Sequence, residues 1–348
     1  MNVGYEVTVG IPVYNVEDYI RLALDSVLGQ SFPSIEVLIC DDCGTDSSID
    51  IVHEYQQNHP RGKDIRILHQ PQNMGIGAGR NRMMAEAQGK YFYSLDGDDS
   101  IAPNTIELLY NAAQKYQAEI VYGSYERVFV QDGKRVGTKP YPYPMKVFSA
   151  PDEYALYVYK YGIQGMNWNY LIDLNVVRRH HLQVTPVNHG YGEDFTYTVD
   201  LPTYIDRAIL LPDITYQYYI RTFTNRPRRK KILSRQQMSL SLDAISLKKQ
   251  RMELKDKPYY ARRCCRLMMI DCSFACEMVV KRDDFDVPFT DREIHDVMWH
   301  PMTLLEILHS HSVRGRNLLY YLIGKIPPTF SVMILRLMEK RYGVRMLK

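Results

Sequence analysis

No stretch of the 348-residue chain reaches the roughly 18 uninterrupted apolar residues that a membrane-spanning helix needs. The opening MNVGYEVTVGIPVYN has no basic segment followed by a long apolar run, so no signal peptide is expected there. The six cysteines, at 40, 43, 264, 265, 272 and 276, do not form a secreted-type framework. Cys264, Cys265, Cys272 and Cys276 fall on one side of an expected helix, where buried free thiols are favoured over a zinc site. No internal repeat is visible. These absences argue against an integral membrane protein, a disulfide-stapled secreted domain and a repeat array. They point to a reducing, cytoplasmic compartment.

What is present is the composition of a soluble globular chain, with 45% hydrophobic and 24% charged residues. The length suits one large domain or two ordinary ones. Twenty-eight tyrosines suit stacking on bases and sugars, and equally the filling of cores and interfaces. The net charge of +3 is unevenly placed. Residues 1–220 hold 17 Lys and Arg against 27 Asp and Glu, a balance of −10; residues 221–348 hold 26 against 13, a balance of +13. An acidic front suits a cation-assisted site, and a basic tail suits an anionic surface.

The first 220 residues alternate strand and helix patterns. Residues 7–12 (VTVGIP) read as a strand ended by Pro12, and 17–29 as a helix stopped at Gly29. A second strand runs to Cys40, with Asp41 and Asp42 just past its end, and a helix follows to about residue 58. Residues 65–69 read as strand, 73–79 (NMGIGAG) as a glycine-rich connection, 80–88 as helix and 91–95 as strand. Helix over 106–117 and strand over 120–125 complete the series; 132–144 read as a loop, and 209–211 and 215–220 as two late strands. Such alternation signals an open, mostly parallel sheet covered on both faces, whose ligands bind at the carboxyl ends of the strands. Tyr14, Asp42 and the Asp96–Asp99 run all fall at such ends.

Asp96, Gly97, Asp98 and Asp99 put three carboxylates in four residues. Carboxylates that close repel one another unless something cationic sits between them. Hard oxygen ligands at a strand end suit Mg²⁺ or Mn²⁺ carrying phosphate oxygens, and Gly97 allows a ligand to come near the backbone. An acidic surface turn is the plainer alternative for an isolated motif of this kind.

Taken together, VTVGIPVYNVEDYIRLALDSVLGQSF, IEVLICDDCGTDSS, NMGIGAGRN, GKYFYSLDGDD, WNYLIDLNVVR, YGEDF and YQYYIR resemble the inverting GT-A glycosyltransferases of family 2. The stretches stand in that family's order over residues 5–221. The resemblance implies an α/β GT-A fold, Rossmann-like with a nucleotide-sugar-binding sheet, over residues 1–225. It also implies transfer of a sugar from a nucleotide sugar with inversion. On the donor side it implies Pro12, Tyr14, Glu17, Asp42, Arg80, Asp96 and Asp98. Tyr14 and Asp42 would hold a uracil, and Arg80 would lie near the phosphates or ribose. Asp98 is the first choice for Mn²⁺ or Mg²⁺, with Asp96 on the metal shell, ribose or sugar. Asp194 matches the family's general base, with Glu193 able to share that role. Trp168, Asn169 and Arg221 match acceptor-side or diphosphate elements. Two departures stand out: Cys43 replaces a usual glycine, and the usual serine after Arg221 is lacking.

Residues 226–348 carry no motif of that family and read as a basic, helical region. Arg226, Arg228, Arg229, Lys230 and Lys231 cluster at its start, and residues 317–343 mix Leu, Ile, Tyr and Phe with Lys325, Arg336, Lys340 and Arg341. Pro327 and Pro328 divide that stretch into two pieces suited to a headgroup region. The expected partners are a nucleotide sugar, a saccharide acceptor carried on a polyprenyl diphosphate, and the inner face of the cytoplasmic membrane. A second copy of the chain, or packing on the catalytic domain, is the alternative for the tail, and nucleic acid is not expected. Three other readings compete: a sugar-1-phosphate nucleotidyltransferase, disfavoured because PVYNVEDY stands where its phosphate loop would be, a polyprenyl-monophosphate glycosyltransferase, and a non-catalytic nucleotide-binding scaffold.

Overall fold

The computed structural model describes residues 4–163, 166–187, 192–223, 232–309 and 315–342. The basic run Arg226–Lys231 lies outside the described residues, as do Gly165, Tyr191 and the side chains of Lys340 and Arg341. Two compact units emerge: residues 1–154, 166–189 and 203–227 form the first, and 155–165, 190–202 and 228–348 the second.

The first unit is built on a sheet. Strands β1 (Val7–Val13), β2 (Ile35–Asp41), β3 (Ile65–His69) and β4 (Tyr91–Ser94) lie side by side in the order β3-β2-β1-β4, all parallel. β2 is buried along nearly its whole length, as a strand with helices on both faces must be, which is why it reads IEVLIC without alternation. The order continues β9-β6-β10-β5 through β9 (Tyr170–Asp173), β6 (Ile120–Gln131), β10 (Ala208–Thr222) and β5 (Ser100–Ile101). Here β6 and β10 are parallel to each other, and β9 and β5 run antiparallel to their neighbours. β7 (Lys134–Tyr141) pairs with β6 and β8 (Lys146–Phe148) with β10.

Helices α1 (Ile20–Leu28), α2 (Ser48–Asn58), α3 (Ile76–Glu86), α4 (Thr105–Tyr116) and α6 (Leu174–Arg179) cover this unit, and α5 (Glu153–Tyr161) leads out of it. α1 buries Ile20, Ala23, Leu24, Val27 and Leu28 on the 3.6-residue period. Three local features differ from the pattern reading. α3 begins inside the glycine-rich stretch. Gly77 is required there by close approach, since a Cβ on it would stand 2.2 Å from the Thr185 carbonyl oxygen. Residues 134–141 form a strand whose side chains are almost all exposed, so no apolar alternation marks it. The two late strands are one, β10, whose register shifts at Leu210/Ile214 and Ile214/Tyr216 interrupt the period.

The second unit is helical: α7 (Glu193–Thr198), α8 (Arg235–Lys249), α9 (Tyr260–Val280), α10 (Asp291–Val297), α11 (Leu304–His309), α12 (Gly315–Ile323) and α13 (Pro328–Tyr342). α9 is its axis, and α8, α10, α11, α12 and α13 all pack on it. Cys264, Cys265, Cys272 and Cys276 are buried along α9 as free thiols. Buried charge is paired: Asp200 meets Arg263 at 2.7 Å and Arg251 at 2.8 Å, and Asp271 meets Lys249 at 3.0 Å. α12 and α13 bury Tyr320, Ile323, Val332 and Leu335 and leave Leu319, Leu322, Phe330, Met333 and Leu337 exposed. Among the described residues no helix is long and apolar enough to cross a membrane.

Candidate functional site

The carboxyl ends of β1, β2 and β4 lie together because the register aligns them, Val13 beside Asp41 and Gly10 beside Ser94. Pro12 does not end β1 but lies within it, beside Cys40 of β2, and interrupts no needed pairing on the β4 side, which ends at Gly10. Tyr14 follows with its ring 48% exposed. Asn15, at φ 53°, turns its side-chain oxygen to the Thr45 N–H at 2.7 Å. The Glu17 carboxylate accepts from the Ser47 N–H at the start of α2 (2.9 Å), and Asp46 answers by accepting from the Glu17 N–H (2.9 Å). Glu17 therefore ties the loop after β1 to the loop after β2 and helps cap α2.

Asp42, just past β2, is buried, and its two carboxylate oxygens accept from the N–H groups of Met74 (2.7 Å) and Gly75 (2.9 Å). Burial raises its pKa from the usual carboxylate range, against the opposing pull of those two N–H groups. The glycine-rich stretch is thus held onto the end of β2 through this one side chain.

Beyond β4 the acidic loop is held from three directions. Gly97 packs against β1: a Cβ there would meet the Pro12 carbonyl oxygen at 3.1 Å and Val16 at 3.3 Å. Arg80, buried on α3, donates to Asp96 at 2.8 Å. Arg221, near the end of β10, donates to the Asp98 carboxylate at 3.3 Å and to the Asp98 backbone oxygen. Asp98 itself stays open, its side chain 45% exposed.

Asp99 turns the other way. It is fully buried and accepts from the Tyr216 hydroxyl (2.9 Å) and the Tyr219 N–H (2.8 Å). Burial first, then the charges of Asp98 and Asp96, push its pKa well above the usual range. The Tyr216 hydroxyl also accepts from the Asp96 N–H at 3.3 Å, so one phenol clamps both ends of the loop. Pattern reading did not single out Tyr216. The signal was the tyrosine pair at 216 and 218, two apart and so on one face of the strand.

Trp168 and Asn169 are buried behind this loop. The indole stacks on Tyr216 with centroids 4.2 Å apart. The Asn169 amide donates to the Gly123 and Ser124 carbonyls and accepts from the Thr215 hydroxyl at 2.6 Å. Glu193 and Asp194 lie in the second unit, on the first turn of α7, Glu193 buried and Asp194 half-buried. Gly192 precedes them at φ 71°, where a Cβ would meet the Phe274 ring at 2.9 Å. Within the first unit the structure brings Arg80 and Arg221 onto Asp96 and Asp98 of one loop, while Asp42 holds the backbone of Met74 and Gly75 just before α3, the helix that carries Arg80.

Asp96 and Asp98 offer hard oxygen donors, and among the described residues no set of three or more His, Cys, Asp or Glu side chains is arranged for a metal. Asp99, the third acid in sequence, is committed to the core. This donor set fits a cation that takes two protein carboxylates and fills its remaining positions with phosphate oxygens and water, the habit of Mg²⁺ and Mn²⁺.

Residues 8–171 match the profile of Glycosyl transferase family 2. The chain is 38% identical over 126 residues to Glycosyltransferase GlyA of Streptococcus pneumoniae, covering 36% of this chain and 17% of that protein. It is 27% identical over 225 residues to the uncharacterized glycosyltransferase YibD of Escherichia coli, covering 63% of each. The matches thus span less than two thirds of these relatives' lengths. The crystal structure of Staphylococcus aureus TarS 1–349 superposes with a TM-score of 0.60 at 16% identity, covering 92% of this chain and 90% of that one. The same protein in complex with UDP-GlcNAc superposes at 0.55 with 18% identity and the same coverage.

Proposed function

We infer, for a chain that belongs to glycosyl transferase family 2, that it moves a sugar from a uridine diphosphate sugar to a hydroxyl of a saccharide acceptor, with inversion, in bacterial polysaccharide assembly. The observation that carries this reading is the gathering of Tyr14, Asp42 and the Asp96–Asp98 loop at the carboxyl ends of adjacent parallel strands. TarS, which shares the fold, has been solved with UDP-GlcNAc, and this supports a uridine diphosphate donor.

Tyr14 offers its exposed ring to the flat base. Asp42 has lone pairs beyond the two N–H groups it already meets, and these can accept from the base imide. Asp96 and Asp98 are the residues that would hold Mn²⁺ or Mg²⁺, which when bound offsets the charge of the departing diphosphate. Arg80 and Arg221 place two guanidinium groups on the same acids, so the loop's charge is compensated before any ligand arrives. Glu17 serves by fixing the loops around the base.

For the transfer itself Asp194 is assigned as general base, with Glu193 beside it. Asp194 takes the proton of the acceptor hydroxyl as that oxygen attacks the anomeric carbon. The bond from that carbon to the diphosphate oxygen breaks on the opposite face, the electron pair leaves with the nucleoside diphosphate, and configuration inverts. Trp168 and Asn169 act from behind the loop, by fixing Tyr216 and the β6–β10 seam.

The acceptor is assigned to a lipid-linked saccharide, and the second unit to the inner membrane surface. Leu319, Leu322, Phe330, Met333 and Leu337 stand exposed on α12 and α13, within a region of charge +13. Following UDP-GlcNAc turnover by proton NMR tests the chemistry. Early release of the β-anomer from the α-linked donor is the expected result. Early α-anomer would refute inversion, and no turnover of UDP-GlcNAc, UDP-Glc or UDP-Gal would refute the transferase reading.

A further inference from the structure

A cleft of about 320 Å³ lies beside the acidic loop, between the start of α1 and the ends of β6 and β10. Asp18, Tyr19, Val130, Tyr219, Arg221 and Phe223 line it, all within the first unit. We propose that this cleft is a subsite for one neutral sugar ring, distinct from the donor pocket. That the ring belongs to the acceptor rests on the transferase reading above; that a sugar binds in the cleft does not.

The volume stands at the lower end of small-molecule sites and suits a single ring rather than a nucleotide. Arg221 forms a rigid part of the wall. Its guanidinium lies 4.1 Å from the Tyr19 ring centre and 4.8 Å from that of Tyr219, a cation held against two aromatic faces. Its N–H groups meanwhile meet the carboxylate and backbone oxygen of Asp98. The arginine charge is therefore answered on the loop side, and Asp18 adds an exposed carboxylate on the cleft side. Among the described residues that line the cleft, an entering anion would meet that carboxylate and no uncommitted cation, which disfavours phosphate. A neutral ring fits better. Phe223, 43% exposed, offers an apolar face to ring C–H groups, and Asp18 accepts hydrogen bonds from hydroxyls at the rim. Because Arg221 touches both Asp98 and the cleft, a sugar seated there lies one side chain from the acidic loop.

Saturation-transfer NMR on the full chain tests this, with the methyl β-glycosides of glucose, galactose and N-acetylglucosamine as separate probes, each with and without UDP and Mg²⁺. The expected result is saturation of the ring C–H protons of at least one glycoside, undiminished by UDP. Phe223→Ala should weaken its affinity about five-fold, and Asp18→Asn should weaken it as well. UDP affinity should stay unchanged in both variants, which also reports that they are folded. Three results would overturn the proposal: no glycoside receives saturation, UDP displaces it, or inorganic phosphate competes for the cleft. Glycoside binding that persists where the wild-type chain fails to bind UDP would uphold the cleft while removing the donor reading.

Discussion

Tyr216→Phe removes one oxygen atom from the middle of the acidic loop's support. The hydroxyl donates to Asp99 at 2.9 Å and accepts from the Asp96 N–H at 3.3 Å, while the ring stays stacked on Trp168. Asp99 is fully buried, so no water replaces the lost donor. A hydrogen bond to a buried carboxyl group is worth about 1–2 kcal/mol, and a loss of that order is the expected effect of the substitution. The sign of its pH dependence follows from Asp99. Its folded pKa already stands well above the ordinary value of 3.8, through burial and the charges of Asp98 and Asp96, with the Tyr216 hydroxyl pulling the other way. Removing that hydroxyl raises it further. Between the ordinary carboxylate range and the raised value, the folded chain binds more protons than the unfolded one, so stability falls as pH rises through that window. The deficit of the variant is therefore largest where Asp99 is charged and shrinks as acid protonates it. The chain has two tryptophans, and in a Trp299→Phe background Trp168 reports unfolding of the first unit alone. Urea unfolding at pH 5 and pH 7 is the assay. A variant within about 0.5 kcal/mol of its parent at pH 7, or a deficit that grows in acid, would refute the clamp.

Gly77→Ala should cost about 3 kcal/mol or more, because its Cβ would stand 2.2 Å from the Thr185 carbonyl oxygen. Gly137→Ala, where a Cβ meets nothing within 4 Å, is the matched control and should be neutral by the same urea assay. Asp194→Asn should lower kcat for transfer by about 100-fold or more and leave UDP affinity intact, read by turnover beside calorimetry. In the second unit, burial raises Asp271 from 3.8 to about 7 against the attraction of Lys249. The folded chain thus holds an extra proton between those values, and stability falls as pH rises from about 4 to 7. Asp271→Asn should flatten that slope when Trp299 is followed in a Trp168→Phe background.

The parallel strands β1, β2 and β4 were legible because they are buried on both faces, so their sequences are nearly continuous apolar runs, those of β2 and β4 leading into acids. The three sites of error share a physical cause: tertiary contacts that leave no periodic trace. The NMGIGAG stretch reads as a loop because glycine disfavours helix, yet Gly77 opens α3 where only a missing Cβ lets Thr185 approach. KRVGTKPY reads as a loop because a strand exposed on both faces needs no alternation. β10 reads as two strands because its bulges shift the register. Within the acidic loop, the presence of carboxylates was visible but their directions were not. Asp99 turns inward only because Tyr216, 117 residues away, supplies a hydroxyl there. The membership of residues 155–165 and 190–202 in the helical unit likewise depends on contacts distant in sequence.

The central claim is that Asp98 and Asp96 hold a nucleoside diphosphate through a divalent cation. Calorimetric titration of the full chain with UDP, in Mn²⁺ and again in EDTA, tests it most directly when run beside Asp98→Ala. Binding that requires both the cation and Asp98, with GDP and CMP weaker, is the expected result. UDP binding of equal strength in EDTA and in Asp98→Ala would contradict the assignment of this loop.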